Sequence, residues 1–240
     1  MPKTIKALLL SAGLGTRLRP ITESIPKCLV EINNEPILQR WLRTLEEINC
    51  SSTIVNTHYF AESVVNFVEN RKKTNMEIIL KYEENLLGTA GTLMENISLF
   101  DDKNCTGLII HADNVTNTDI GKLINFHYSK PKNVILTMLT FNTNKPKQCG
   151  IVKTDNKGIL TGFYEKVDNP PSNKANGAIY VFDKDFVNFI KGLKNLKDFS
   201  LDIIPKLIGK IQTFHTDDIF LDIGTPDSYK LANQLFDKTN

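Results

Sequence analysis

Apolar and polar residues alternate along the first 140 positions in a way that predicts strands and helices in turn. The run Ile5–Leu10 is continuously apolar and ends in a glycine-containing turn, as expected of a parallel strand covered on both faces. From Pro36, apolar residues recur at helical spacing as far as Ile48, and Ser51–Asn56 is again extended. This succession predicts β-α-β units and a largely parallel sheet.

The same alternation continues to residue 236. Further predicted helices are Ala61–Glu69, Thr92–Leu99, Ile120–Tyr128, Phe186–Ile190, Ser200–Ile208 and Asp227–Phe236, the last with Pro226 at its start. Further predicted strands are Glu77–Tyr82, Thr106–His111, Val134–Thr140, Gly150–Thr154, Ile159–Glu165, Ala178–Phe182, Ile211–Phe214 and Ile219–Ile223. We therefore predict an α/β fold: a doubly wound, mostly parallel mixed sheet with helices on both faces, right-handed crossovers and ligands at the carboxyl ends of its strands.

Composition narrows the class of protein. Hydrophobic residues make up 41% and charged residues 23%, which is ordinary globular usage. A net charge of +2 is too small for the positive field of a nucleic-acid binder, and no apolar run reaches the roughly 18 residues of a membrane span. We expect one domain over residues 1–240, since no repeat, low-complexity tract or flexible linker interrupts it.

The cysteines and the amino terminus indicate a compartment. Cys28, Cys50, Cys105 and Cys149 are scattered without a Cys-x-x-Cys motif, so neither a zinc site nor a disulfide framework is predicted. The apolar run of the first strand is too short for a signal peptide. We therefore expect a cytoplasmic protein with no membrane partner.

The segment Ser11-Ala12-Gly13-Leu14-Gly15-Thr16-Arg17-Leu18-Arg19-Pro20 follows the first strand directly. Its glycines allow close approach of the backbone to a ligand, and its N–H groups could cradle phosphate oxygens, assisted by the two arginines. It lacks the Lys-Ser/Thr ending of a Walker A loop, and Leu18 replaces the third glycine of a dinucleotide fingerprint. A nucleoside triphosphate therefore fits better than NAD, although an isolated glycine turn with solvated arginines would look the same.

Further motifs follow in a fixed order. They are Pro26-Lys27-Cys28-Leu29, Leu87-Gly88-Thr89-Ala90-Gly91, Asp113 after a strand, Glu165-Lys166, Asn176-Gly177 and Asp222-Ile223-Gly224-Thr225-Pro226. With this series, residues 5 to about 236 resemble the sugar-1-phosphate nucleotidylyltransferases, and most of all the guanylyltransferases of mannose 1-phosphate or heptose 1-phosphate. Cys28, Val167 and the pair His111-Ala112 depart from the family pattern, and none of these departures removes a charge that the reaction needs.

The resemblance implies a Rossmann-like sheet of the glycosyltransferase-A type and a reaction of NTP with a sugar 1-phosphate, giving an NDP-sugar and pyrophosphate. Arg17 and Lys27 would contact the reacting phosphates, and Asp113 and Asp222 would hold Mg²⁺, a cation that prefers oxygen ligands. Nucleotide binding would fall to Ser11, Ala12, Gly13, Gly15, Thr16, Arg17, Glu83, Gly88 and Thr89. Sugar-phosphate binding would fall to Glu165, Lys166, Asn176 and Gly88, so residues 5–140 would be the nucleotide half and 141–240 the sugar-phosphate half.

The base is predicted from two glutamates, Glu83 and Glu84, which precede the glycine turn. A carboxylate can accept hydrogen bonds from N1–H and the amino group of guanine together, whereas uracil or thymine offers one N–H. GTP is therefore expected, unless both side chains are simply solvated. The alternatives are a uridylyl- or thymidylyltransferase of the same family, a non-catalytic nucleotide-sugar sensor, and an NAD-linked oxidoreductase.

The product would be an activated sugar for glycan or surface-polysaccharide assembly. The chain has no extension of hexapeptide repeats after its closing helix, so we expect a stand-alone transferase.

Overall fold

The apolar stretches of the sequence pattern become the buried strands of the fold. The computed structural model describes residues 3–237. Within these residues the strands are β1 (Thr4–Leu10), β2 (Glu31–Ile32), β3 (Glu35–Pro36), β4 (Ser52–Thr57), β5 (Glu77–Tyr82), β6 (Cys105–His111), β7 (Asn114–Thr116), β8 (Leu136–Asn142), β9 (Gly150–Thr154), β10 (Leu160–Glu165), β11 (Lys174–Phe182), β12 (Ile211–Thr216) and β13 (Phe220–Asp222). The α-helices are α1 (Ile37–Glu47), α2 (Ala61–Glu69), α3 (Gly88–Glu95), α4 (Ile120–Tyr128), α5 (Lys184–Lys191) and α6 (Pro226–Leu235).

The described residues divide into two compact units. Unit 1 contains residues 3–6, 87–109 and 119–218, and unit 2 contains residues 7–86, 110–118 and 219–237. Strands β1 and β6 each contribute residues to both units. Residues 87–109 thus pack with the later part of the chain, whereas the predicted border between the two halves lies near residue 140. The prediction of one domain over residues 1–240 stays a prediction.

Unit 2 is built on parallel pairing. β4 lies between β1 and β5, and it pairs with β5 in parallel from Ser52 opposite Glu77 to Thr57 opposite Tyr82. Helix α1 buries the apolar face that its spacing predicts, and its Trp41 Nε1–H donates to the Asn114 carbonyl at 2.8 Å. Helix α6 begins at Pro226 under a capping box between Thr225 and Ser228. The carboxyl ends of β1, β6 and β13 all lie in this unit.

Unit 1 combines both pairing directions. β8 pairs in parallel with β12 and antiparallel with β11, and β9 and β10 form the predicted hairpin. Its core is aromatic, with Phe100, Phe182 and Phe186 in ring contact. A Cβ at Gly107 would lie 2.2 Å from the Phe182 ring, so only glycine leaves room for it. The predicted α/β fold, a mixed sheet with mostly parallel core strands flanked by helices, is confirmed.

Two predicted helices differ in position or in type from the observed elements. Helix α3 begins at Gly88 and ends at Glu95, four residues before the predicted start and end, and a short 3₁₀ turn follows. The predicted helix Ser200–Ile208 is a π turn, Phe199–Ile203, and a 3₁₀ turn, because Pro205 has no N–H to continue an α-helix. Strand β7 was not predicted, and it pairs with β13 antiparallel. None of the helices between residues 3 and 237 has the length and apolarity that a membrane crossing requires.

Candidate active site

The predicted phosphate loop in unit 2 is held at both ends and open in its middle. Ala12 and Leu18 are buried, whereas Gly13 is exposed and a Cβ there would have no atom within 4 Å. Gly15 adopts φ +64°, and its carbonyl accepts from Leu18 N–H at 3.0 Å and Thr22 Oγ1–H at 2.7 Å. A loop anchored in this way presents an exposed backbone to a ligand at low conformational cost.

Four charged side chains meet in unit 2, and they are the four that the sequence analysis predicts as catalytic. Lys27 Nζ lies 2.6 Å from Asp113 Oδ2 and 3.2 Å from Asp222 Oδ1. Arg17 Nη2 lies 3.7 Å from Asp222 Oδ2. The side chain of Lys27 is only 9% exposed, while those of Asp113 and Asp222 are 33% and 49% exposed. The cluster therefore has a buried cation beneath two carboxylates that a ligand can reach.

Backbone pairing explains why two distant aspartates meet. Asp113 comes two residues after β6, and Asp222 is the last residue of β13. Asp222 stands opposite Asn114 in the antiparallel β7–β13 pair, and Ile223 N–H donates to the Asp113 carbonyl at 3.0 Å. A Cβ at Gly224 would lie 2.9 Å from Asp222 Oδ2 and 3.1 Å from Arg17 Nη2. A glycine at this position leaves room for the ion pair.

The opposite charges of Lys27 and Asp113 each stabilise the ionised form of the other. Burial favours the neutral form of Lys27, but Asp113 and Asp222 outweigh burial and raise the pKa of the ammonium above its ordinary value. Burial likewise works to raise the pKa of Asp113, but Lys27 and then His111 outweigh it and hold that pKa below its ordinary value. Near neutral pH the ammonium and the carboxylate are both charged.

The donor set of Asp113 and Asp222 suits Mg²⁺. Their carboxylates converge on a single positive charge, the Lys27 ammonium, and carboxylate oxygens are the ligands that Mg²⁺ prefers. Among residues 3–237, no group of three or more His, Cys, Asp or Glu side chains could hold a metal ion. One or two carboxylates completed by water and phosphate oxygens are nevertheless the usual protein contribution to a Mg²⁺ site.

The two glutamates considered for base recognition differ in environment. Glu83 is 7% exposed and accepts from Asn56 Nδ2–H at 2.9 Å, whereas Glu84 is exposed. The amide of Asn56, itself 3% exposed, also accepts from Ser11 N–H at 2.7 Å. Asn56 belongs to none of the predicted motifs. The signal available was a polar residue near the end of a strand whose other positions are all buried.

Gly88 and Thr89 lie in unit 1 at the start of α3. Gly88 adopts φ +76°, and a Cβ there would lie 2.4 Å from the Lys197 carbonyl oxygen. That carbonyl accepts from Ala90 N–H at 3.0 Å, and Thr89 Oγ1 accepts from Phe199 N–H at 2.8 Å. The segment 197–199, which has no motif of its own, therefore shapes the predicted glycine turn.

Glu165 and Lys166 also lie in unit 1, at the end of β10. Glu165 stands opposite Gly150 on β9, where a Cβ would come within 2.5 Å of Glu165 Oε2. Lys166 adopts φ +49°, and its exposed ammonium lies 3.2 Å from Glu165 Oε1. The pair thus places an exposed ammonium beside a largely buried carboxylate.

Asn176 is held by a bulge in β11. The pairing of β11 with β8 shifts register between Asn176 and Tyr180, and Ala178 adopts φ +52° within the bulge. Asn176 Nδ2–H donates to the Tyr180 hydroxyl at 2.7 Å, and Asn176 Oδ1 accepts from Ala178 N–H at 2.9 Å. Burial raises the pKa of that tyrosine well above its ordinary value. The amide is therefore fixed in one orientation, with one N–H and one lone pair beyond these bonds.

A protein family and several known proteins match this chain over nearly all of its residues. The chain matches the family described as Nucleotidyl transferase over residues 6–239. It is 30% identical over 236 residues to the mannose-1-phosphate guanylyltransferase catalytic subunit beta of Drosophila melanogaster, covering 96% of this chain and 62% of the relative. It is 28% identical over 244 residues to the UTP–glucose-1-phosphate uridylyltransferase of Synechocystis, covering 94% of this chain and 61% of the relative.

A solved structure shares the fold. HddC from Yersinia pseudotuberculosis, solved with GMP-PN, superposes with a TM-score of 0.79 at 24% identity, covering 97% of this chain and 99% of that one. The chain spans about 62% of the length of the Drosophila relative that it matches. Because the family match extends over nearly all of its residues, this chain belongs to the nucleotidyl transferase family.

Proposed function

We propose that this chain transfers a nucleotidyl group to a sugar 1-phosphate. A phosphate oxygen of the sugar 1-phosphate attacks the α-phosphorus of a nucleoside triphosphate, the bond between the α- and β-phosphates breaks, and pyrophosphate leaves. No enzyme nucleophile is needed, so catalysis depends on holding two polyanions together and on neutralising the charge that develops at phosphorus. The product is a nucleotide-sugar of the kind that glycan assembly consumes.

The observation that carries this proposal is the cluster of Arg17, Lys27, Asp113 and Asp222. Lys27 is fixed by two carboxylates, so its ammonium keeps one position and its charge. Arg17 is exposed within the phosphate loop, where its guanidinium can donate to phosphate oxygens. Cations that are positioned around the reacting phosphates would lower the barrier, because they neutralise the charge that develops with little reorganisation during the reaction.

We propose Mg²⁺ as the cofactor, with Asp113 and Asp222 as its protein ligands. When bound, the ion neutralises charge on the phosphate oxygens. Both carboxylates are partly exposed and already converge on one cation. Lys27 would then keep the carboxylates in place from the protein side.

For the substrates, GTP and a mannose- or heptose-type 1-phosphate fit best. The Drosophila guanylyltransferase at 30% identity supports guanine, and so does the buried carboxylate of Glu83. The Synechocystis relative keeps a uridylyltransferase as the second candidate. Glu165, Lys166 and Asn176 would bind the sugar phosphate. The four cysteines are thiols and not disulfides, which agrees with the cytoplasm as the proposed place of action.

The test is a matrix of GTP, UTP, dTTP, ATP and CTP against mannose, glucose and heptose 1-phosphates, with Mg²⁺ and a coupled pyrophosphatase assay. We expect the fastest pyrophosphate release with GTP and a mannose- or heptose-type phosphate. The Asp222→Asn variant, purified in parallel, controls for contaminating activity. Nucleotide binding without pyrophosphate release in any combination would contradict the transferase proposal and favour a sensor.

A further inference from the structure

Asn56 connects two parts of unit 2 that have different tasks in the proposed function. Its backbone carbonyl accepts from the Ser11 hydroxyl, and its Oδ1 accepts from Ser11 N–H at 2.7 Å. Its Nδ2–H donates to Glu83 Oε1 at 2.9 Å. Ser11 is the first residue of the phosphate loop, and Glu83 is the carboxylate considered for the base. One buried side chain is thus bonded to both.

The chemistry of its partners gives the Asn56 amide a single orientation. Ser11 N–H can only donate, so it requires the amide oxygen. The Glu83 oxygen accepts from the amide nitrogen. Turning the amide over would set two N–H groups face to face and two oxygens face to face. Because Asn56 is buried, water cannot relieve either conflict.

The backbone around Glu83 is fixed by the residues that follow Asn56. Glu83 N–H donates to the Thr57 carbonyl at 2.8 Å, which continues the pairing of β4 with β5. The Glu83 carbonyl lies 2.9 Å from His58 Nδ1, and because a carbonyl only accepts, this nitrogen carries the imidazole proton. With its backbone held in this way, the Glu83 carboxylate has one of its oxygens fixed by the Asn56 Nδ2–H.

We propose that Asn56 is a positioning residue that couples the phosphate loop to base recognition by Glu83. This inference rests on the proposed function. When the side chain at 56 cannot donate to Glu83, that side chain and the Glu83 carboxylate should move apart. Because the side chain at 56 also accepts from Ser11 N–H, its movement should disturb the loop, so that triphosphate affinity and base selectivity fall together. A residue with a purely structural role would lower stability without changing the ratio between two bases.

Two variants test the coupling. Asn56→Asp keeps the acceptor for Ser11 N–H but sets an oxygen against Glu83. We expect it to raise the KM and Kd for the preferred nucleotide at least about tenfold, as for the loss of a hydrogen bond to a charged group. The preferred-base ratio, taken from kcat/KM and from Kd, should fall as well. Asn66→Asp, which adds the same charge at an exposed position of α2, is the matched control and should change neither.

The second variant, Asn56→Asp combined with Glu83→Gln, reverses the polarity of the bond, because the new amide at 83 can donate to the new carboxylate at 56. We expect it to recover the thermal midpoint and the affinity for the phosphate part, measured by competition with inorganic triphosphate. We do not expect the base ratio to recover, because the new amide presents one acceptor oxygen to the base.

Calorimetric Kd values for GDP and UDP separate this inference from the proposed function. A wild-type chain that binds nucleotides but releases no pyrophosphate refutes the transferase, and the coupling is then judged by Kd alone. If UDP is preferred, the guanine proposal fails. The ratio of the two Kd values still shows whether Asn56 affects base selectivity. The inference is overturned if folded Asn56→Asp keeps the wild-type Kd and base ratio. It is also overturned if the double variant does no better than Asn56→Asp, including a failure to fold.

Discussion

Lys27 Nζ lies 2.6 Å from Asp113 Oδ2, which makes the Lys27 side chain, only 9% exposed, dependent on a carboxylate from a distant part of the sequence. The same ammonium reaches Asp222 Oδ1 at 3.2 Å. Since removing one partner of a buried ion pair leaves an uncompensated charge, these two aspartates stabilise unit 2 in addition to the metal-binding role proposed for them.

Asp113→Asn and Asp222→Asn should each reduce pyrophosphate release by at least about 100-fold, because each removes a charged ligand proposed for Mg²⁺. Asp113→Asn should also lower the free energy of unfolding by about 3 kcal/mol, and Asp222→Asn by less, because Asp222 is the more exposed. Urea denaturation and a Mg²⁺ titration of activity measure both effects. Asp101→Asn, which removes an exposed carboxylate paired with Lys184 and Lys191, is the control. Near-wild-type turnover of either variant at limiting Mg²⁺ would rule out the ligand assignment.

Lys166→Ala should raise the KM for the sugar 1-phosphate about tenfold or more and leave the KM for the triphosphate unchanged. The reason is that its exposed ammonium, paired only loosely with Glu165, is free to meet a phosphate. Stability should change by less than about 0.5 kcal/mol, as for most surface substitutions. Lys153→Ala, at an exposed position of β9, is the matched control. If only triphosphate binding suffers, the assignment of Lys166 to the sugar phosphate is wrong.

Gly88→Ala should destabilise the fold more than Gly209→Ala does. Both glycines have positive φ, +76° and +82°, so both substitutions introduce backbone strain. A Cβ at Gly209 meets nothing within 4 Å, whereas one at Gly88 lies 2.4 Å from the Lys197 carbonyl oxygen. The difference between the two variants, about 1–3 kcal/mol in urea denaturation, therefore measures the clash alone. Equal losses would show that the start of α3 yields to the methyl group.

Glu83→Gln should erode the preference for GTP over UTP and dTTP more than it lowers the rate with the best triphosphate. The new amide can still accept from Asn56, but it then turns an N–H toward the donors of guanine. Glu84→Gln is the internal control. Because Glu84 is exposed, this substitution should leave the preference between triphosphates unchanged. The measurement is kcat/KM for each triphosphate. Faster turnover of the wild-type chain with UTP or dTTP would refute the guanine proposal and leave the transferase proposal intact.

Acid should destabilise unit 1 through His127. Burial lowers the pKa of this imidazole to about 4, against the attraction of Asp183 and with the repulsion of Lys130 and Lys3. The unfolded chain binds a proton near pH 6.5 and the folded one only near 4, so stability is complete above pH 6.5 and declines as the pH falls through this window. A shift of this size corresponds to about 3 kcal/mol.

Urea unfolding at intervals from pH 7 to pH 4.5 measures this decline. His127→Gln, which retains a polar partner for the Thr137 hydroxyl, should flatten the profile, whereas His215→Gln, at a more exposed position, should keep most of its slope. An unchanged profile in the His127 variant would assign the acid sensitivity to other groups.

Much of the fold follows from local pattern alone. Helices α2 and α4 and strand β5 have the predicted bounds, because each has a clear period and a turn or cap at its ends. The hairpin of β9 and β10 follows from the turn residues between two apolar runs. Where the periodicity is weak, as in α3 and in residues 199–207, the prediction failed, because contacts and a proline decide the backbone there.

For the candidate site, the sequence by itself determined which charged residues are available and in what order, since motif spacing needs no partner. It did not determine that the carboxylates of Asp113 and Asp222 would both contact the buried ammonium of Lys27. That arrangement depends on the β7–β13 pair between segments about 100 residues apart. It also left Glu83 and Glu84 equivalent. Only the tertiary structure separated them, by burying one against Asn56 and leaving the other in solvent, because hydrogen bonding across parallel strands cannot be seen along a single one.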